Sequence, residues 1–280
     1  MDLKTTIKSL LPGSVLSETV QCPACESQYN LPVNSEPEIV HCPKCNIGIT
    51  FPPPKNTESA DLIWEHAYAN TRHETRSTWT FEAQKRLDWI HLWQPDGVIL
   101  ELGSGFGEFL EIATKHGHEC YGIEPSPKGR KATSTYCSSP VFESIENWLN
   151  MNCGLQVDII AAWHVIEHLS NPTELLEKLS SSLKKGGLVF GEVPNFGSKN
   201  SQLHGIKWEN AFPEFHYYHF SAKGIARILK RSGLEVIATQ EISSRIYESA
   251  SFWGKRKNNA IVDGTFFPDK TLLRFIARKN

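Results

Sequence analysis

The sequence predicts an open α/β sheet, mainly parallel, with helices on both faces and a small cysteine-rich segment in front. Three observations carry this. From Gly97 onward short apolar runs alternate with helical stretches. One run, Val157-Asp158-Ile159-Ile160-Ala161-Ala162-Trp163, is apolar on both faces, as a strand inside a parallel sheet is. Two Cys-x-x-Cys pairs stand close together before Phe51.

The elements follow in order. Val98-Ile99-Leu100 is a short strand, followed by glycines and a helix carrying Phe109, Leu110, Ile112 and Ala113. Cys120-Tyr121-Gly122-Ile123 and Val141-Phe142 read as the next two strands, and residues 157–163 as the fourth. A helix then starts with Asn171 as N-cap, Pro172 at its first position and Glu174 closing a capping box. Leu175, Leu176, Leu179 and Leu183 form its apolar stripe, and Lys184-Lys185-Gly186-Gly187 ends it. Residues 187–193 form a fifth strand, Ser221 caps a helix through Ile225, Ile228 and Leu229, and Val236-Ile237-Ala238 and residues 272–277 supply two late strands. Ahead of the sheet, residues 59–93 read as helical. Phe81, Lys85, Asp88 and Trp89 recur three to four apart, and Trp64, Trp79, Trp89 and Trp93 read as core aromatics. The triplet Pro52-Pro53-Pro54 reads as a stiff connector. The chain thus divides into an N-terminal segment (1–19), the cysteine segment with its linker (20–54), a helical lead-in and substrate cover (55–96) and the α/β unit (97–280).

Composition narrows the function. A 40% hydrophobic content over 280 residues is enough for a sizeable core. The net charge of −2 gives no long-range attraction for nucleic acid. No apolar run is long enough to span a bilayer, and the first eight residues lack the apolar centre of a secretory signal. The expectation is a soluble, cytoplasmic protein with no membrane or nucleic-acid partner. The cysteine pattern suits metal binding in a reducing compartment better than disulfides.

The stretch Glu101-Leu102-Gly103-Ser104-Gly105-Phe106-Gly107 says most about chemistry. Its glycines let the chain turn out of a strand and let a ligand approach amides at the start of the next helix. Such a loop alone also fits a dinucleotide site. Glu101 favours another ligand, because a carboxylate there anchors a cationic amino group and offers a pyrophosphate nothing. Glu124 ends the next strand, where a carboxylate can accept both hydroxyls of a ribose.

Glu101-Leu-Gly-Ser-Gly-Phe-Gly, Gly122-Ile-Glu124-Pro, Val157-Asp158-Ile-Ile with His164-Val-Ile-Glu167-His168-Leu, and Leu183-Lys-Lys-Gly-Gly-Leu-Val occur in that order. Together they resemble class I S-adenosylmethionine-dependent methyltransferases, in particular the branch similar to ubiquinone-biosynthesis O-methyltransferases. The likeness covers roughly residues 80–280. It implies a Rossmann-like seven-stranded sheet and S-adenosylmethionine as cofactor. By that resemblance Glu101, Gly103, Ser104, Gly105 and Gly107 hold the methionine moiety and Glu124 the ribose. Pro125, Ser126, Glu143 and Ser144 would lie near the adenine, with Trp163, His164 and Val165 along the cofactor.

His164, Glu167 and His168 follow the fourth strand, at the end of the sheet where ligands of open α/β folds bind. His168 is the first candidate for general base, because imidazole titrates near neutral pH. His164-Val-Ile-Glu167-His168 also spells a zinc-peptidase string, but it follows a buried strand instead of lying on a long helix. Some ubiquinone-type relatives that resemble the chain at Glu167 and His168 are metal-assisted, although position 164 is His where Glu is expected. A second divalent metal is therefore left open. Trp208-Glu-Asn-Ala-Phe-Pro-Glu-Phe-His216-Tyr217-Tyr-His219-Phe brings further site residues, His216 and His219, with His219 a rival base. The Asn/Asp-Pro-Pro-Tyr/Phe string of many N-methyltransferases is missing after the fourth strand, which favours O-methylation.

Cys22-Pro-Ala-Cys25 and Cys42-Pro-Lys-Cys45 have the spacing of a structural zinc ribbon. Cys120, Cys137 and Cys153 read as interior cysteines. The leading expectation is a methyltransferase acting on a small-molecule acceptor. Its rivals are one acting on RNA or protein docked through the ribbon, and a non-catalytic binding module. Deleting residues 1–54 would separate the first two, since only a docked enzyme should need the ribbon.

Overall fold

The computed structural model describes residues 17–32, 36–55, 75–152, 154–243 and 270–280. Trp64, Cys153, most of the N-terminal segment and the first part of the helical lead-in lie outside the described residues.

Four short strands come first: β1 (Ser17–Gln21), β2 (Gln28–Pro32), β3 (Glu38–Cys42) and β4 (Ile47–Phe51). Helix α1 (Arg76–His91) leads into β5 (Ile99–Leu102), α2 (Glu108–Lys115), β6 (Cys120–Ile123), α3 (Pro127–Tyr136), β7 (Val141–Phe142) and α4 (Ile145–Met151). The second half runs β8 (Val157–Trp163), α5 (Pro172–Ser182), β9 (Leu183–Pro194), α6 (Lys199–His204), β10 (Tyr218–Phe220), α7 (Ala222–Arg231), β11 (Leu234–Ile242) and β12 (Leu272–Lys279). Seven strands form one sheet in the order β11-β12-β9-β8-β5-β6-β7. The run from β9 to β7 is parallel, and β12 lies antiparallel to both β9 and β11. The expected parallel-dominated sheet is present, closed at one edge by an antiparallel pair.

Alternation along β8 explains why both faces are covered. Ile159, Ala161 and Trp163 pack with Ala83, Leu87 and Ile90 of α1 and Phe109, Leu110 and Ala113 of α2. Ile160 and Ala162 join Trp148, Leu176, Leu179, Ile225, Ile228 and Leu229 on the opposite face. Burying each such side chain stabilises the fold by roughly 1.5–3 kcal/mol. The glycine at 191 is there for contact: a Cβ would lie 2.1 Å from the ring of Phe275, its neighbour across the β9–β12 ladder.

The caps match the sequence reading with one change. Ser221 Oγ accepts from Gly224 N at 3.1 Å and starts α7. Asn171 Oδ1 accepts from Glu174 N at 3.3 Å, but Glu174 closes the box by accepting from Asn171 Nδ2 at 2.7 Å. Helix α1 departs more. Phe81 is 53% exposed and Trp93 43%, while Trp79, Glu82, Ala83, Arg86, Leu87 and Ile90 turn inward. The aromatic spacing misleads because two charged residues, Glu82 and Arg86, occupy the buried face.

The cysteine segment is built into the body. β1 pairs with β2 and β3 with β4, and each hairpin leaves a Cys-x-x-Cys knuckle at its turn. Glu26 and Asn46 stand at the same place after each knuckle with φ of 58° and 57°. Strand β4 also pairs antiparallel with β10, Ile49 facing Tyr218 and Ile47 facing Phe220. Cys22, Cys42, Cys45, Ile47 and Ile49 belong to the same apolar cluster as Ile225 and Leu229. Deleting residues 1–54 would strip that cluster and unpair β10, so the deletion cannot separate docking from catalysis.

Candidate active site and metal centre

The glycine loop leaves β5 at Glu101 and enters α2 at Gly107. Gly103 has φ +73°, and a Cβ there would strike Val165 at 2.5 Å. Gly107 caps α2 with φ +76° and rests against Thr133. At Gly105, φ is +54° and a Cβ would meet nothing within 4 Å among the described residues, so the loop is open there to the rest of the described structure. Gly103 and Ser104 both donate backbone N–H bonds to the Ile123 carbonyl, and the Ser104 hydroxyl lies 3.4 Å from that of Thr133.

Glu101 is 3% exposed, and its Oε2 has no hydrogen-bond partner among the described residues. Burial pushes its carboxyl well above the usual carboxylate range, only Arg86 opposing the shift and the charges of Glu108 and Glu124 adding to it. An orphaned buried carboxylate is costly unless a cation meets it. The residues therefore fit a cationic ligand group beside an open glycine cradle. Glu124 also shapes the loop itself, because its Oε2 accepts from Gly105 N and its Oε1 from Ser126 N, each at 2.9 Å. Ser126 caps α3 by accepting from Gly129 N, and Ser144 caps α4 by accepting from Asn147 N. Pro125 is exposed, as is Glu143, which lies 4.0 Å from Arg130.

The end of β8 holds an ionic network that no motif announces. Glu192 on β9 is 2% exposed. It accepts from Arg86 at 2.6 Å, Arg274 at 2.8 Å and His164 Nε2 at 3.1 Å. Burial works against its charge, but Arg86, His164 and Arg274 outweigh it and hold the carboxyl well below the usual range. His164 takes a left-handed φ of 57° and also lies 3.5 Å from Glu167. Burial disfavours its imidazolium, yet Glu167 and Glu192 raise its pKa above the ordinary value. His164 is thus a clamp between two carboxylates. Trp163 packs at ring-centroid distances of 5.3 Å from Phe109 and 6.3 Å from Trp89. Lone charges in buried strands and helices, Glu192 among Leu188, Val189, Phe190 and Val193 above all, were the signal that could have found this network.

His168 sits on the short 3-10 turn after β8 and His216 on the loop before β10, their rings in edge contact at 4.5 Å. His168 Nδ1 bonds the Phe215 carbonyl at 3.2 Å and His216 Nδ1 the Asn210 carbonyl at 3.1 Å. A carbonyl only accepts, so each ring carries its proton on Nδ1 and presents a bare Nε2. Burial lowers the pKa of both, His216 the more strongly because His168 and His219 stand beside it. Glu167 is 1% exposed, and apart from His164 Nδ1 at 3.5 Å from Oε1 its oxygens meet no donor among the described residues. One ligand atom each from Glu167, His168 and His216 lie within 4.8 Å of one another. His219, 2% exposed, is pushed down to about 3 by burial. The sequence-predicted histidines therefore converge, together with Glu167.

A family model for the methyltransferase domain matches residues 65–239. The chain belongs to that family. It is a class I S-adenosylmethionine-dependent methyltransferase. This methyltransferase shares its fold with an S-adenosylmethionine-dependent methyltransferase from Archaeoglobus fulgidus, at 19% identity and a TM-score of 0.54 over 74% of this chain and 97% of the other. An S-adenosylmethionine-dependent methyltransferase from Thermotoga maritima is similar at 17% identity, TM-score 0.53, covering 78% and 98% of the two chains. So is magnesium protoporphyrin IX methyltransferase from Synechocystis PCC 6803, solved with bound S-adenosylhomocysteine, at 15% identity, TM-score 0.52, covering 78% and 93%. No curated protein matches the chain. Among the described residues no helix is long and apolar enough to cross a membrane.

The second centre of the methyltransferase is its ribbon. Cys22, Cys25, Cys42 and Cys45 are free thiols whose sulfurs lie within 4.8 Å of one another, Cys25 and Cys42 at 3.7 Å. A tetrahedron with Zn–S of about 2.3 Å has sulfurs about 3.8 Å apart, so the four residues fit one ion. Arg227 of α7 donates to Cys45 Sγ at 3.1 Å and also bonds the Lys44 carbonyl. Arg231 pairs with Glu26 at 2.7 Å, and Thr173 Oγ1 donates to the Pro23 carbonyl at 3.1 Å.

Proposed function

We propose that this methyltransferase O-methylates a small molecule (a secondary metabolite, quinone or sugar), with His168 as general base. The observation that carries the reading is the unprotonated Nε2 of the half-buried His168, on the opposite side of the ring from the Nδ1 whose proton a carbonyl fixes. Glu101 would take the cofactor's amino group, Gly103, Ser104, Gly105 and Gly107 its methionine moiety, and Glu124 its ribose. Pro125, Ser126, Glu143 and Ser144 would border the adenine, with Trp163, His164 and Val165 alongside. S-adenosylmethionine supplies a methyl group made electrophilic by its sulfonium neighbour. His168 Nε2 would take the acceptor's hydroxyl proton as that oxygen accepts the methyl group, the methyl–sulfur electron pair going to sulfur. His216 and Glu167 orient the acceptor, and the aromatic side chains around them exclude water. Zinc held by Cys22, Cys25, Cys42 and Cys45 would brace the ribbon, and metal analysis should find about one zinc per chain.

The test is formation of S-adenosylhomocysteine across a panel of phenols, quinols and sugars. His168→Gln should lower kcat for the best acceptor about 10²–10⁴-fold and leave cofactor affinity unchanged. Full turnover in that variant refutes the base. The convergence of Glu167, His168 and His216 favours one second reading, in which these three ligate a divalent cation that holds the acceptor. Chelation followed by rescue with a divalent salt would then govern turnover, and indifference to chelation eliminates this reading.

A further inference from the structure

The ribbon reaches the histidine cluster along β4, where one side chain stands between two of its members. Thr50 of β4 is 2% exposed, and its Oγ1 lies 2.6 Å from the His216 carbonyl oxygen and 2.9 Å from His219 Nε2. Its backbone N–H donates to the Tyr217 carbonyl at 3.0 Å. The strand runs so close that a Cβ on Gly48 would lie 3.1 Å from His219 Cβ. A threonine hydroxyl has a single proton to give. The His216 carbonyl can only accept, so it receives that proton. The hydroxyl must then accept from His219, which carries its own proton on Nε2. That leaves His219 Nδ1 as a lone pair, and it has no partner among the described residues. Trp208 and Phe196 flank the ring with centroids at 6.5 and 5.8 Å, and His216 stands at 6.2 Å. A buried unpaired acceptor is unfavourable unless a ligand donates to it.

We propose that the ribbon is a wall of the acceptor site and that Thr50 is its positioning residue, locking His219 in the Nε2–H tautomer so that Nδ1 accepts a hydrogen bond from the acceptor molecule. This rests on the reading that the acceptor lies among His168, His216 and His219. The ligand chemistry it selects is a donor, a hydroxyl or an N–H, at a second position from the group that His168 deprotonates. The cysteine knuckle at Cys42–Cys45 closes the β3–β4 hairpin that carries Thr50, so the cysteine cluster and Thr50 belong to one hairpin.

Histidine nitrogen NMR on the full-length, zinc-loaded chain tests the tautomer, with His219→Gln assigning the signal. The wild type should show His219 protonated at Nε2 and unprotonated at Nδ1. Thr50→Val, nearly isosteric and checked to retain its zinc, should lose this single pattern, and Thr50→Ser should restore it. Proton on Nδ1 in the wild type overturns the proposal even if Thr50→Val fails to fold, as does an unchanged pattern in Thr50→Val. Thr50→Val should also raise the acceptor KM up to about tenfold without altering cofactor affinity. A normal acceptor KM in Thr50→Val beside an inactive His168→Gln overturns this proposal alone, whereas an active His168→Gln overturns the base assignment on its own.

Discussion

At the scale of single residues, Glu101 shows how an unsatisfied group points to a ligand. Its carboxylate is buried, orphaned at Oε2 and raised above the usual pKa. A cationic amino group arriving there favours the charged form, so cofactor binding releases a proton wherever Glu101 was protonated. Linkage then sets the sign: affinity for S-adenosylmethionine should rise as pH rises through the raised pKa of Glu101 and fall on acidification. Calorimetry at pH 5.5 and 8 (conditions chosen about one unit or more either side of neutral) checks this, and tighter binding at the acid end would contradict it. Gly105 makes a second prediction of the same scale. Its left-handed φ and empty Cβ position mean that Gly105→Ala strains the loop and fills the cradle, so cofactor affinity should drop about tenfold or more.

Strand β9 shows what an element contributes. Leu188, Val189, Phe190 and Val193 bury it, and its one carboxylate, Glu192, draws in Arg86 from α1, Arg274 from β12 and His164 from the end of β8. Four elements are thereby tied at the edge of the site. Removing one partner of such a buried network leaves uncompensated charge, so Glu192→Gln should cost about 3–5 kcal/mol at pH 7. The folded pKa of Glu192 is depressed, so its contribution is present above the unfolded value near 4.5 and is lost as pH falls through the folded one. Denaturant unfolding should therefore show the gap between wild type and Glu192→Gln closing only in strong acid. A gap that closes toward alkaline pH would contradict the assignment.

For the whole molecule, what the sequence revealed depended on distance along the chain. The seven strands of the large sheet, the glycine loop, the capped helices α5 and α7 and both cysteine knuckles were legible, because each is written within about a dozen neighbouring residues, whereas β1–β4 and β10 carry no such pattern. The Arg86–Glu192 pair is separated by 106 positions and Thr50–His219 by 169, and no local pattern records such pairings. The inward face of α1 was misread for the same reason: Arg86 is buried because of a partner that sequence spacing does not show. The pairing of the ribbon with β10 is equally invisible in the sequence, since Pro52-Pro53-Pro54 suggests separation while β4 pairs with β10 just before it. Because the ribbon shares an apolar cluster with α7, metal removal should lower the Tm of the whole chain in one transition. An early ribbon melt followed by an unchanged main transition would show instead that the two unfold independently.

Cofactor recognition stands most directly on the glycine loop with Glu101 beside it. Isothermal titration of S-adenosylmethionine into the wild type and Glu101→Gln tests that claim without knowledge of the acceptor. Glu101 Oε2 has no hydrogen-bond partner among the described residues, so the amide should leave the loop intact while removing a charged partner. The wild type should show one site, and the variant an affinity weakened about tenfold or more. Equal affinity in the two proteins would contradict the role of Glu101.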